Sequence, residues 1–202
     1  MPLLPRSIAA WPAALLSAAL TCYAGAASAQ IREPGNHLDY TLELEPHLVV
    51  QYDRKWGARG TGLGPGLRAT LPIIKNGPIP QINNSLGIGL GVDWAIFTGC
   101  EGQPNSADCA VNQFWIPVVA QWNFFFTPVV STFAELGAAV THRRLSYSKN
   151  CPFLTENSCE GSDLELFQPV LFVGGRFSFS KTAGLLVRVG TPYVSIGADF
   201  TL

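Results

Sequence analysis

The feature that most constrains the fold of this chain is a strict alternation of apolar with small or polar residues. From Leu86 to Ile96 every second residue is apolar, and glycine, aspartate or alanine lies between them. The same period of two runs from Val194 to Leu202. Because the side chains of a β-strand point alternately to opposite faces, each segment predicts a strand with one apolar and one polar face.

Eight such segments follow one another, and none of them shows a competing helical period of 3.6. The predicted strands are 40–53, 61–74, 84–97, 113–126, 129–143, 165–179, 182–190 and 194–202. Strands joined by short connections without helices predict an all-β, antiparallel fold. Proline donates no hydrogen bond to a strand ladder, so we expect bulges where it lies inside these strands, at Pro46, Pro117 and Pro169.

The first 29 residues are predicted to be a cleaved signal peptide. Arg6 precedes an apolar stretch that ends at Ala27-Ser28-Ala29, which matches an A-x-A-like cleavage site. A membrane helix is the alternative, but the stretch is short and contains Pro12. We therefore predict an exported protein with a periplasmic lead-in at 30–39 and one domain at 40–202.

Four cysteines remain after this cleavage, and an even number in an exported chain favours two disulfides. Three pairings are open. We expect the local pairs, Cys100 with Cys109 and Cys151 with Cys159, because each pair lies in one polar segment. The spacings do not match a zinc ribbon, so no metal site is predicted.

The composition then distinguishes an ordinary soluble all-β domain from one that faces lipid. Charged residues make up 13% of the chain, against about 25% in an ordinary soluble domain. The net charge of −1 gives no basis for binding nucleic acid. No stretch after the signal peptide has the ~20 apolar residues of a membrane helix. An apolar strand face directed at lipid would explain a chain that is poor in charge, rich in apolar residues and without such a helix.

The connections support this interpretation. Segments 98–112 and 144–164 are long, whereas Thr127-Pro128 and Ser180-Lys181 are tight turns on the alternate connections. Long external loops and short periplasmic turns are typical of outer-membrane barrels. The medium-length connection 74–83 and the tight Thr191-Pro192 connection depart from this pattern. The lysines all fall in predicted loops or turns, at Lys55, Lys75, Lys149 and Lys181.

Aromatic residues cluster at the ends of the predicted apolar faces. Core packing would explain their presence but not this clustering, whereas the two interfaces of a bilayer favour such girdles. The predicted girdle residues are Tyr52 and Trp94 at one end, with Trp122, Phe124, Phe126, Phe177 and Phe179 at the other.

The stretches GLRATLPI, WIPVVAQWNF and LLVRVGTPYVSIGADFTL resemble those of small outer-membrane barrels of proteobacteria, the class of the OmpA membrane domain and OmpX. The resemblance covers about residues 40–202. It implies an eight-stranded antiparallel up-and-down transmembrane β-barrel in the outer membrane of a Gram-negative bacterium. In that class the last strand, usually ending in Phe, resembles a signal read by the barrel-assembly machinery. Here Phe200 and Leu202 would supply that signal, with Leu in the final place.

The polar faces of the predicted strands carry most of the ionisable residues. The predicted lumen residues are Glu43, Glu45, Arg68, Asp93, Glu135, Arg176, Arg188 and Asp199, with His47 and Gln121 beside them. Buried charges must be paired, so we predict a salt-bridge network that closes the lumen. A narrow ion path along this column is the alternative, although side chains just fill an eight-stranded barrel.

No cofactor and no catalytic residue are predicted. A lipid-modifying enzyme would need a nucleophile and a base within reach at the outer rim, and His142 and Ser146 lie there without a recognisable spacing. The two cysteine loops favour surface recognition on a rigid scaffold, with protection from proteolysis as the alternative. The sequence thus predicts a monomeric barrel, surrounded by the lipid bilayer, with a structural or interaction role.

Overall fold

Eight antiparallel strands close into a barrel in this computed structural model, which describes residues 30–52, 58, 60–99, 109–147 and 160–202. The strands are β1 (Glu43–Gln51), β2 (Gly62–Ile74), β3 (Asn84–Thr98), β4 (Cys109–Phe125), β5 (Val130–Tyr147), β6 (Glu160–Ser178), β7 (Ala183–Thr191) and β8 (Tyr193–Thr201). Each strand pairs with its neighbours in sequence, and β8 closes the barrel on β1, where Leu48 lies opposite Ile196. The predicted eight-stranded up-and-down topology is confirmed.

Among the described residues, no helix is long and apolar enough to cross a bilayer.

Several strand ends differ from the prediction. β4 begins at Cys109 rather than 113, β5 continues to Tyr147 rather than 143, and β6 begins at Glu160 rather than 165. These ends pair with one another, since Cys109 lies opposite Tyr147 and Ser146 lies opposite Glu160. Because these ends pair with a neighbouring strand, each strand is longer than the stretch of alternating residues in its sequence. The two cysteine loops are therefore shorter than predicted.

The strands have unequal lengths, and the difference lies at the outer end, away from the chain termini. β5 and β6 have 18 and 19 residues, whereas β7 has nine. The last pair of β6 with β7 joins Leu171 to Thr191. β6 continues from Val170 to Glu160 beside β5, so the β5–β6 hairpin rises above the β7–β8 turn.

Burial is reversed relative to that of a soluble barrel. Outward apolar side chains are exposed, with Leu90 at 56% and Leu136 at 66%. The charged side chains of Arg68, Glu135 and Arg188 face inward and are completely buried. The alternation in the sequence thus places apolar residues outside and ions inside, as predicted.

Large aromatic side chains also fill the interior. Trp115, Phe172 and Tyr193 pack in one buried cluster, and Phe133 is buried as well. Sequence analysis assigned polar and small residues to the lumen and missed these rings. The one indication in the sequence was the position of these residues in the alternation. Trp115, for example, directly precedes the outward Ile116 and therefore points inward.

The expectation for the prolines was partly wrong. Pro46 and Pro117 pair in register with Leu67 and Ala139, without a bulge. Pairing of β1 with β8 is simply interrupted between Leu44 and His47, where Pro46 offers no N–H. One register shift does lie beside Pro169, between Ala139 and Thr141, and another between Pro72 and Ile74.

Residues 30–42 cross the inner mouth, the end of the barrel that carries the chain termini. Leu42 and Leu202 exchange backbone hydrogen bonds of 3.3 and 2.9 Å, which carries the β1–β8 pairing one step past the strands. The His37 ring stacks on Phe125 with centroids 4.3 Å apart, and Asn83 Nδ2 donates to the backbone oxygen of Asn36 at 2.7 Å. The lead-in is therefore anchored to the barrel.

Gly174 provides the first test of the packing. The ring of Phe133, its direct partner across the strands, occupies the space into which a Cβ at Gly174 would project. We expect Gly174→Ala to lower the free energy of unfolding by about 1–3 kcal/mol. Gly175→Ala is the matched control, because no atom lies within 4 Å of its added Cβ. Denaturant titration of the refolded barrel should separate them, and equal stabilities would contradict the packing.

Candidate functional site

The barrel interior brings together all eight charged residues that the sequence assigned to the lumen. They are contributed by β1, β2, β3, β5, β6, β7 and β8. The residues form a central group around Glu135, an inner group around Arg176 and an outer group around Asp93.

In the central group, one carboxylate lies between two guanidinium groups. Arg188 donates from Nε and Nη2 to Glu135 Oε1 at 3.1 and 2.9 Å. Arg68 Nη1 donates to the other oxygen, Glu135 Oε2, and Arg188 Nη2 also donates to Glu45 Oε2. Because the arginines lie on β2 and β7 and Glu135 on β5, these bonds cross the lumen.

In the inner group, one guanidinium serves three carboxylates. Arg176 Nη2 donates to Glu43 Oε1 and lies 3.6 Å from Glu45 Oε1, and its Nε lies 2.9 Å from Asp199 Oδ2. Oxygens of the three carboxylates lie within 4.8 Å of one another, a spacing that could hold a metal ion. Arg176 already occupies the cationic position among them.

In the outer group, Asp93 is the shared acceptor. His47 Nε2 lies 2.8 Å from Asp93 Oδ1, and Arg68 Nη2 lies 3.4 Å from Asp93 Oδ2. The Tyr193 hydroxyl donates to Asp93 and accepts a hydrogen bond from Arg68 Nη2 at 2.9 Å. Tyr193 was missed because the predicted eighth strand began at Val194.

Aromatic faces complete the surroundings of the arginines. The guanidinium carbon of Arg176 lies 5.4 Å from the Phe133 ring centroid, and that of Arg188 lies 5.3 Å from the same ring. Arg68 lies 5.6 Å from the ring of Phe172. Such cation–π contacts contribute about 2 kcal/mol when they are desolvated.

Neutral polar side chains continue the column at both ends. On the inner side, Gln121 Nε2 donates to Asn123 Oδ1 at 3.0 Å, and Thr70 Oγ1 donates to Gln121 Oε1 at 3.2 Å. On the outer side, Trp115 Nε1 donates to Gln51 at 3.2 Å, and Gln51 donates to Gln113 at 2.7 Å. Gln121 Nε2 also donates to Glu43 Oε2 at 3.4 Å, which joins the inner set to the ion groups.

Tyr40 of the lead-in extends the inner group. Burial raises the pKa of its phenol above the ordinary value, so the hydroxyl keeps its proton. It donates to Glu43 Oε2 at 3.3 Å. The lead-in thus contacts the same carboxylates that surround Arg176.

A further ion cluster at the outer rim was missed. Arg143 Nη1 and Nη2 donate to Asp163 and Glu165 at 3.1 and 2.8 Å. The Arg143 side chain is 3% exposed, and its partners are 40% and 36% exposed. Arg143 is the last residue of the predicted fifth strand but was not named as a lumen residue, because its partner Asp163 lay in a predicted loop.

The residues considered for catalysis are not brought together. His142 and Ser146 lie four residues apart on β5, which corresponds to roughly 13 Å along an extended strand. A nucleophile and its base must be within hydrogen-bond reach. This pair does not form a catalytic site.

The predicted girdle residues lie at the two ends of the barrel. At the outer end Tyr52 is 49% exposed, and Trp94 stacks on Phe114 at 5.5 Å, a partner that sequence analysis missed. At the inner end Trp122 and Phe124 have centroids 4.8 Å apart. Phe126 and Phe179 follow the ends of β4 and β6, and Phe177 lies within β6.

The last residues complete the closing strand. Phe200 pairs with Leu44 and Ala183 and is 43% exposed, while Leu202 is 64% exposed. Their role as an assembly signal remains a prediction.

Of the four predicted disulfide cysteines, Cys109 is the first residue of β4 and is buried. Cys100, Cys151 and Cys159 lie outside the described residues, as does the predicted signal peptide. The pairing and the cleavage stay predictions.

Comparisons with protein-family models and with curated proteins found no match. Among solved structures, the barrel is similar to Ail, the attachment invasion locus protein of Yersinia pestis, with 12% identity and a TM-score of 0.50. This match covers 82% of this chain and 99% of Ail. Neisserial surface protein A, NspA, is similar with 8% identity and a TM-score of 0.53, covering 80% of this chain and 97% of NspA. The chain has the fold of a small eight-stranded outer-membrane barrel. The resemblance to this class is confirmed at the level of fold.

Removal of one arginine tests the network. We expect Arg176→Met to lower the free energy of unfolding by about 3–5 kcal/mol, because Glu43 and Asp199 would lose their buried partner. The measurement is the temperature at which the folded form disappears on a heat-modifiability gel, followed by denaturant titration.

Lys75→Met is the control for this experiment. Lys75 pairs with Asp39 at 3.0 Å, but both side chains are more than half exposed, so the loss should stay below about 1 kcal/mol. Equal effects of the two substitutions would show that the inner group contributes nothing beyond a surface pair.

Proposed function

We propose that this chain is an integral outer-membrane protein, exported by its signal peptide, with a plugged lumen and a surface-interaction role. The observation that carries the proposal is the reversed burial: a continuous apolar exterior surrounds an interior of paired ions. In water the exterior would be strongly unfavourable. In lipid an apolar exterior is favoured, and the barrel-assembly machinery would insert the barrel into the outer membrane.

The dimensions of the strands support membrane insertion. β1, β7 and β8 each have nine residues, and a tilted transmembrane strand needs about 9–11. Closure of the barrel pairs the strand edges, as hydrocarbon requires. The aromatic residues at both ends would lie at the two interfaces of the bilayer.

The contacts inside the barrel support the proposed plugged lumen. Arg68, Glu135 and Arg188 bridge opposite walls, and Trp115 and Phe172 fill space beside them. Opening an aqueous path would break several buried ion pairs at once, at a cost of several kcal/mol each. We therefore expect planar bilayers with the purified barrel to show no discrete conductance steps, and steady single-channel currents would contradict the plug.

Leu90→Arg tests the lipid-facing exterior. Leu90 lies midway along β3 among the outward residues Ile88, Val92 and Val118. We expect a loss of about 2–4 kcal/mol for folding into liposomes, since arginine near the bilayer midplane is desolvated.

His142→Arg is the matched control, because it places arginine on the outward face near the outer rim. Its expected effect is at most about 1 kcal/mol. A soluble barrel would tolerate both substitutions, and the mature protein would then be monodisperse in detergent-free buffer.

A surface-interaction role is supported by the raised β5–β6 hairpin. It rises beyond the β7–β8 turn, and the pairs of Arg143 with Asp163 and Glu165 join its two strands. Loops held by a rigid scaffold are common recognition sites. Of the two similar barrels, Ail is named an attachment invasion locus protein and NspA a surface protein.

The loops are proposed to be stapled locally. The backbone N–H of Gly99, which precedes Cys100, donates to the carbonyl of Cys109 at 3.0 Å. This bond holds the two ends of the first cysteine loop together, as a local disulfide requires. Non-reducing peptide mapping should find Cys100 linked to Cys109 and Cys151 linked to Cys159, and a linkage between the two loops would refute the proposal.

Exchange of the loops tests recognition. Cells carrying the barrel, or the barrel with loops 100–108 and 148–159 replaced by Gly/Ser linkers, would be compared for binding to immobilised glycans and host-cell surfaces. We expect the variant with exchanged loops to lose a binding signal that the native barrel gives. Identical binding profiles would leave the loops only a protective role.

A further inference from the structure

Aromatic side chains mark the outer limit of the apolar exterior. Trp94 lies opposite Phe114, and Phe114 lies opposite His142, so these residues form one row across β3, β4 and β5. Tryptophan and other aromatic residues favour the boundary between hydrocarbon and lipid headgroups. One same-face step farther out the row is polar, and Asn112 lies opposite Arg144. The outward position of Arg144 is therefore at the level of the headgroups.

The outer rim is basic on one side of the barrel only. His142 and Arg144 are the only basic residues on the outward faces of the described strands, and both are exposed. The other arginines of these strands face the lumen and are buried. His142 and Arg144 are two residues apart on β5, roughly 7 Å along an extended strand, and they point to the same face. Two side chains at this spacing can donate to a single phosphate group.

An open cavity of about 410 Å³ lies against these two side chains, and its lining also includes Gly161 and Ser162 of β6. Ser162 lies directly opposite Arg144 and is exposed, so its hydroxyl is a third donor on the same face. An imidazole, a guanidinium and a hydroxyl thus surround one space that is open to ligands.

The nearest carboxylates do not close this space from the lipid side. Asp163 and Glu165 lie on the inward face of β6 and pair with Arg143. Glu160 is one same-face step beyond Arg144, on the side away from the membrane. Arg144 interacts with another group of the chain, and its five N–H donors can serve a phosphate as well. A headgroup that approaches from the membrane meets the imidazole first and the guanidinium next.

We propose that His142, Arg144 and Ser162 bind a phosphate group of a glycolipid in the outer leaflet, which rests on the proposed insertion into the outer membrane. The Arg144 guanidinium donates to two phosphate oxygens, a ring N–H of His142 donates from the membrane side, and the Ser162 hydroxyl donates from β6. The acyl chains lie along the apolar exterior below, beside Phe114 and Leu164.

The number of donors favours a phosphomonoester. Such a group carries about −1.5 to −2 charge near pH 7 and has three strong acceptor oxygens, which match the three donors of the site. The phosphodiester of a phospholipid offers less charge and fewer free oxygens. The site lies at the end of the barrel away from the chain termini, so it faces the outer leaflet, where the phosphorylated glycolipid lipid A is located.

The test measures lipid binding to the full mature barrel, refolded in a neutral detergent, by native mass spectrometry. The probes are lipid A with both phosphates, the same lipid A without phosphates, and phosphatidylglycerol. We expect phosphorylated lipid A to bind at least about tenfold more tightly than the dephosphorylated form, because the charge-assisted hydrogen bonds are lost with the phosphates. Phosphatidylglycerol should also bind more weakly than phosphorylated lipid A.

Two substitutions test the donors separately. Arg144→Gln should reduce the preference for phosphorylated lipid A at least about tenfold, and His142→Gln should reduce it about threefold or more. Lys181→Gln is the control, because it removes an exposed cation from the β6–β7 turn at the inner end and should leave the preference unchanged. All three side chains are exposed, so the barrel should stay folded, which a heat-modifiability gel checks.

Equal binding of phosphorylated and dephosphorylated lipid A would overturn the proposal, as would an unchanged preference in Arg144→Gln. If phosphatidylglycerol bound as tightly as lipid A, the assignment to a glycolipid would be wrong. Insertion into liposomes is measured separately. A barrel that does not insert would contradict the proposed function and the lipid site together, whereas an inserted barrel without a phosphate preference would contradict the lipid site alone.

Discussion

Desolvation of the inward charges is the constraint on which the rest of this structure depends. Arg68, Arg188 and Glu135 are fully buried, and a lone charge in such surroundings costs several kcal/mol. Each is therefore bonded to partners on other strands, and the bonds tie β1, β2, β5 and β7 across the lumen. Closure of the sheet and pairing of the ions support each other, because only the closed barrel brings these strands face to face.

Packing around the ions explains why the interior is solid rather than open. The Phe133 ring lies beneath two guanidinium groups and above Gly174, where any larger residue would overlap it. Trp115 and Tyr193 fill the outer half. At the inner mouth one arginine, Arg176, faces three carboxylates, and a cavity of about 540 Å³ lies there beside the lead-in.

The two ends of the barrel differ because the strands have unequal lengths. The β5–β6 hairpin rises outward and presents the loops, while the lead-in folds inward across the mouth. A rigid ion-paired body lets both ends vary without loss of the fold, since loops contribute little to its stability. The outer loops and the inner mouth are thus independent parts of the barrel.

The sequence by itself determined the period of two, the eight segments and the inward parity of residues such as Glu135 and Arg188. These could be predicted because hydrocarbon is a uniform solvent, so an outward position within it favours an apolar residue whatever its neighbours. It did not determine that Arg143 pairs with Asp163 and Glu165, that Tyr193 joins Asp93, or that Trp115 and Phe133 fill the lumen. Those contacts join residues far apart in the chain, and only closure of the barrel decides which side chains meet across it. The local pattern states which face a residue occupies, but the pairing register and the space across the lumen decide its partner.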